Sequence, residues 1–208
     1  VGGRIIPSFT RNWLARAEAR NLPRPFGRLD VAAIAILVVA LGLWSAAPEG
    51  LPTSLIAVLA ALLQAWRLAG WRGHAVLREP LLAVLHIAHG FIPLGLLALA
   101  ASAQGALNGL AALHLLTVGA IGLTTLGVMT RATRGHTGRP LAASRLTTTA
   151  FVLLLVAAVS RPFAEVVPFA FHQLLEVSGG AWILAFAIFC LEHGPMLVRA
   201  TKTNSPRP

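Results

Sequence analysis

The chain has 208 residues, 56% hydrophobic and 12% charged, with a formal net charge of +10 and a mean hydropathy of +0.75. That balance excludes an ordinary water-soluble domain and describes a chain whose solvent is mostly lipid. The charge is not read as a nucleic-acid footprint, because the basic residues stand at the flanks of apolar runs, where anionic membrane lipid is the partner to expect.

Residues 1–30 carry Arg4, Arg11, Arg16, Arg20, Arg24 and Arg28 and no continuous apolar core, so they read as a basic cytoplasmic segment and not as a signal peptide. The chain opens on Val with "VGGRIIPSFTRN", which looks like the exit from an earlier element and implies the later part of something longer. Six apolar stretches follow, each near the ~20 residues a spanning helix needs: 31–47, 52–68, 81–102, 110–130, 146–160 and 174–198. The first and fifth are short, so their flanks must join in or the helices run steep. No ten-residue alternating segments of a β-barrel are visible. The expected organisation is a basic N-terminal segment (1–30), a six-helix transmembrane bundle (31–199) and a cytoplasmic tail (200–208).

The charges test this division. Arg67, Arg72 and Arg78 follow the second stretch; Arg131, Arg134, Arg139 and Arg145 follow the fourth; Arg199, Lys202 and Arg207 follow the sixth. With the opening six, that places sixteen of the seventeen basic residues on one side and leaves Arg161 alone on the other. Cytoplasmic flanks hold the excess of Lys and Arg, so both termini are cytoplasmic and the number of spans is even. The expected fold is an all-α polytopic membrane protein, a bundle of about six transmembrane helices. Cys190 is the single cysteine; it cannot form an internal disulfide and is given a packing role.

Histidines and glycines stand out against this apolar background. In "LHIAHG", His86 and His89 are three apart and project from neighbouring positions on one helix face. Such a pair can share a metal, or one can ligate haem iron while the other hydrogen-bonds; the bland alternative is interhelical hydrogen bonding. His114 is followed by Gly119, Gly122 and Gly127, which suit close helix packing or the approach of a flat macrocycle. In "MTRATRGHTGRP", Arg131, Arg134 and Arg139 surround His136 in what reads as a cytoplasmic loop. Arginine forks there would hold a carboxylate or phosphate, although a basic loop is also what membrane topology demands. At 1.5 Å per residue, His86, His89 and His193 lie about 8, 12 and 8 Å from the cytoplasmic face and share a level, with His114 and His172 near the outer face. Gln64 and Glu192 have no assignable partner. No P-loop and no nucleophile–base pair is present, so hydrolytic or ATP-driven chemistry lacks support.

"GGRIIPSFTRN", "LTVGAIGLTTLGVMTRATRGHTGRPL" and "GPML" together resemble the NnrS family, the middle motif most specifically. The resemblance implies a haem-containing, copper-containing protein of the bacterial inner membrane, tied to nitric oxide metabolism and nitrosative stress in denitrifying and related bacteria, with nitric oxide as a ligand. Members are about twice this long, with about twelve spans, so the chain resembles their C-terminal half, and the missing N-terminal half or another copy of the chain becomes a candidate partner. Carried over by position, the resemblance implies cofactor-binding roles for His86, His114 and His136, with Arg131 and Arg139 around the last and Arg4 and Arg11 as anchors or propionate contacts. His89 and His193 fall where aromatic residues are common. The metal-ligand candidates are His86, His114 and His89; haem is the expected cofactor, with copper as a second candidate. Arg131, Arg139 and His136 are expected to line a cytoplasmic-side pocket for a propionate or another anion. Two other readings stand beside this one: half of a transporter or channel whose histidines line a proton or ion path, and an inert half awaiting its complement. The residues leave open whether the chain turns over a substrate.

Overall fold

The computed structural model describes residues 2–198, all of whose regular elements are helical. Arg199, Lys202, Arg207 and the tail 200–208 lie outside the described residues. Six helices are long and apolar enough to cross a membrane, and they fall where the apolar runs predict them. In chain order the elements are α1 (Gly2–Arg16), α2 (Arg28–Ala46), α3 (Leu51–Ala69), α4 (Pro80–Ser102), α5 (Gly109–His114), α6 (Leu123–His136), α7 (Arg145–Ala164) and α8 (Phe171–Val198). A π-helical stretch, Leu115–Gly122, joins α5 to α6, so that the three form one rod and the fourth span.

The helix starts follow local chemistry. Pro80 opens α4 and Pro52 sits in the first turn of α3, where a missing N–H costs nothing. Asn108 and Ser144 cap α5 and α7 by accepting from the Leu110 and Thr147 backbone N–H groups, each at 2.9 Å. The two short runs do gain flanking residues, as α2 reaches 19 residues and α7 reaches 20.

Helix α4 is the hub. Two-thirds of its spanning window (67%) is buried, against 17% for α2, and α3, the α5–α6 rod and α1 all pack on it. Gly119 and Gly127 let the rod close on α4: a Cβ at Gly119 would collide with Phe91, and one at Gly127 would press on Val84 and Leu85. Gly122 meets only the Thr117 carbonyl at 3.5 Å, so of the three glycines named after His114 two serve close packing. Helices α7 and α8 form a hairpin outside the rod, with the Ser178 hydroxyl donating to the Ala157 carbonyl at 3.0 Å.

The basic opening segment is not an irregular arm. Residues 2–16 form α1, which buries Ile6, Thr10 and Leu14 at helical spacing and leaves Arg4, Arg11 and Arg16 exposed. Its apolar stripe packs on the bundle, Ile6 in the main core and Leu14 against Val76 and Leu82, and its arginines face outward.

The stretch Arg131–His136, expected to be loop, is the end of α6. The helix stops just beyond it through a Schellman arrangement: Gly138 adopts φ +65°, its N–H donates to the Gly135 carbonyl, and the Arg139 N–H donates to the Arg134 carbonyl at 2.9 Å. Glycine at position 138 and the proline after Arg139 thus have a helix-stopping role. Cys190, expected to pack internally, is exposed on α8.

Candidate functional site

A buried charge network forms where α2, α3 and the 17–27 linker meet. The Arg67 guanidinium, 2% exposed, donates from Nε to Asp30 at 3.0 Å and from Nη1 to the Gln64 side-chain oxygen at 2.9 Å. Gln64 in turn donates to the Ala33 carbonyl at 3.0 Å. Arg24 reaches Asp30 at 3.3 Å while its guanidinium lies over the Trp66 ring at 3.5 Å. Two arginine nitrogens are left over: Arg67 Nη2 and Arg24 Nε are buried without a partner. A charged donor in that condition carries a penalty of about 1–3 kcal/mol or more until an acceptor meets it.

Trp71, 2% exposed, connects this network to the histidine pair. Its ring stands 4.5 Å from the His89 ring, and the Arg67 guanidinium is 5.3 Å from its centroid. The two histidines of "LHIAHG" then part company. His86 Nδ1 is 3.0 Å from the Leu82 carbonyl, and since a carbonyl only accepts, Nδ1 carries the proton. Its Nε2 lies 3.4 Å from the Thr10 oxygen, whose hydrogen goes to the Ile6 carbonyl at 2.9 Å, and its ring packs on Gly73, where any Cβ would strike it. His86 is therefore enclosed, with its protonated nitrogen engaged. His89 is equally buried, 5% exposed, yet its Nε2 has no partner.

His89 belongs to the wall of a cavity of about 690 Å³, within the 300–1,000 Å³ usual for small-molecule and cofactor sites. Its polar wall is made by Arg4, Gln64, Arg67 and His89, and its apolar wall by α2 and the α5–α6 rod, including Ile34, Leu37 and Ile121. Ile121 is 62% exposed on the other side, so the cavity lies next to the lipid-facing surface. Apart from His89 and Arg4, these polar groups escape a motif-based reading. Arg67 and Asp30 stand at span ends, where a charge looks like an ordinary membrane flank, and the signal that could have found them is the three-residue spacing of Gln64 and Arg67 on one face of α3.

The histidines nominated by position do not converge. Contacts of Ser102 with Gly109, Gly95 with Leu116 and Leu85 with Gly127 fix the antiparallel register of α4 and the rod. His114 is thereby level with Leu96 and Leu97, about 16 Å along α4 from His86. His114 is half-buried, Nδ1 unpartnered, within electrostatic reach of the Arg161–Glu165 ion pair (2.8 Å). His136 lies beyond the first turn of α4 and is exposed. It shares a recess of about 370 Å³ with Arg131 and Phe9, and the Arg131 guanidinium sits 4.2 Å over the Phe9 ring. Arg139 is not part of that wall; its Nη1 is buried and unpartnered elsewhere.

His193 does not share the level of His86 and His89. Glu192 accepts from Thr147 at 2.9 Å and pairs with Arg134 at 3.7 Å, which sets His193 about 13 Å nearer the arginine-rich end. Its ring stacks on Phe189 at 4.8 Å with both nitrogens buried and unpartnered. His172 is exposed, edge-on to Phe171 at 5.4 Å, and α8 does not pack along α5. Gln64 and Glu192, without partners by sequence, both have them here.

Haem and copper can be tested against these donors. Among the described residues no three His, Cys, Asp or Glu side chains gather to hold a metal ion, so a copper site of three such ligands has no place among them. A haem fits better, since a free buried imidazole nitrogen, an apolar wall and buried or edge arginines meet at one cavity.

Fold and site together define a polytopic helical membrane protein with a lateral cavity that joins one free imidazole to a buried guanidinium. The family model described as NnrS protein matches residues 1–201, and the chain belongs to that family. No curated protein and no solved structure matches it.

Proposed function

We propose that the chain is a membrane haem protein of the NnrS type, acting in nitric oxide metabolism or the nitrosative-stress response at the bacterial inner membrane, with haem in the cavity beside His89. The observation that carries this reading is His89, a buried histidine with an unpartnered Nε2, in the wall of a 690 Å³ cavity that Arg67 also lines. Bound there, haem would supply an iron centre able to hold nitric oxide. The chain's own part is positional. Trp71 fixes the His89 ring, so that its free nitrogen is presented rather than searched for. Asp30 and Gln64 hold the Arg67 fork at the cavity wall, where Arg4 adds a second guanidinium for a propionate. Ile34, Leu37 and Ile92 keep water from the cavity. The family motif around His136 has a helix-stopping role and a separate recess, and an anion site there remains a second, smaller part of the proposal. The chain corresponds in this reading to one half of a longer member, and the remaining half or a second copy would cover the open side.

A proton or ion path is less well supported. About 12 Å of α4 separates the levels of His89 and His114, and the buried residues between them include Phe91 and Leu96.

The test is the visible spectrum of the detergent-purified chain, oxidised and dithionite-reduced, with iron and copper measured on the same sample. A Soret band with near-stoichiometric iron is expected, lost in His89→Ala and retained in His86→Ala. A colourless but folded chain, or a band that survives His89→Ala and vanishes in His86→Ala, would overturn the assignment.

A further inference from the structure

Beside the cavity lies a second, separate recess of about 230 Å³, and its lining is cationic. Arg4 and Arg11 reach it from one face of α1, seven residues apart and so two turns along the same stripe, with Ser8 between them. Arg24 closes the opposite side from the 17–27 linker, where Pro23 and Pro25 stiffen the wall. No acidic residue lines the recess. Asp30, behind it, is already shared between Arg24 and Arg67, so the excess positive charge stays uncompensated.

Its surroundings give its depth. Arg24 is held over Trp66, which is 41% exposed, and Phe26, 54% exposed, forms part of both the recess and the neighbouring cavity. Exposed aromatic rings beside arginines mark the headgroup level of a bilayer. A cationic pocket with an apolar, exposed shoulder matches a molecule that is anionic at one end and oily at the other. We propose that Arg4, Arg11 and Arg24 form a discrete site for the phosphate group of an anionic phospholipid, whose acyl chains run past Phe26. This differs from diffuse attraction between a basic face and a charged membrane, because it demands one lipid held by particular arginines. It does not depend on haem.

The full chain, purified in detergent with equal phosphatidylglycerol and phosphatidylcholine added, is examined by native mass spectrometry. One phosphatidylglycerol per chain should be retained in preference to phosphatidylcholine. The preference should fall about 30-fold in Arg4→Gln/Arg11→Gln, which corresponds to about 1 kcal/mol for each arginine removed. Arg16→Gln/Arg145→Gln removes the same charge from exposed positions outside the recess and should leave the preference intact. An equal loss in both double variants would reduce the effect to diffuse charge and overturn the proposal. Displacement of the lipid by millimolar inorganic phosphate would assign the recess to a soluble anion instead. Unchanged lipid retention with lowered iron content in Arg4→Gln/Arg11→Gln would give it to a haem propionate.

Discussion

At the scale of single residues, the two histidines of one short motif have opposite fates, and the difference lies in what surrounds each ring. His86 donates its proton to Leu82 and packs its face on Gly73, whereas His89, in the cavity wall, keeps Nε2 without a partner. Spacing alone shows that both project from one side of α4; it cannot show which neighbour will meet which nitrogen. The same limit hid Asp30 and Arg67. Breaking a buried ion pair by removing one partner costs about 3–5 kcal/mol, because the survivor is left uncompensated. Asp30→Asn should therefore destabilise the folded chain by about 3 kcal/mol in denaturant titration in detergent, while Asp30→Asn/Arg67→Gln recovers part of that loss. A double variant destabilised by as much as the two single variants added together would show that the pair is not a coupled unit.

At the scale of elements, the six spans were legible because a long apolar run has few alternatives in a chain of this composition. Their ends were not, since arginines can extend a helix past the hydrocarbon by reaching for the interface, which is how α6 runs on to His136. The helical state of 2–16 was masked by Gly2, Gly3 and Pro7, and the π-helical stretch has no simple sequence signature. That stretch faces α4 through Gly119 and supplies Ala120 and Ile121 to the cavity wall; π-helical turns are over-represented at functional sites. Gly119→Ala places a methyl against the 94%-buried Phe91, and overpacking of this kind costs about 1–3 kcal/mol. Gly122→Ala, in the same stretch, meets only an ordinary 3.5 Å contact and should be close to neutral. Thermal midpoints in one detergent compare the two directly; equal shifts would mean that the rod does not close on α4 at Gly119.

For the whole molecule, charge asymmetry and an even number of spans make a claim that packing cannot check, namely which end faces the cytoplasm. Among the described residues, thirteen of fourteen basic residues stand toward one end of the bundle, and the end that carries Arg161 is joined by the 103–108 turn between α4 and α5. The arginine-rich end also holds α1, the phosphate recess and the rim of the cavity, so orientation decides from which compartment an anion or a reductant reaches the site. Gln104 and His136 are both exposed, at opposite ends of the same rod and its neighbour. In a Cys190→Ala background, Gln104→Cys should react with a membrane-impermeant maleimide applied to intact spheroplasts, and His136→Cys only after permeabilisation. The reverse pattern would invert the molecule and place the arginine-rich end outside, against the rule that sets most membrane topologies. Labelling of both positions from outside would mean that the one span between them, the rod 109–136, does not cross the membrane, and the cavity, which needs α4 and the rod side by side, would go with it.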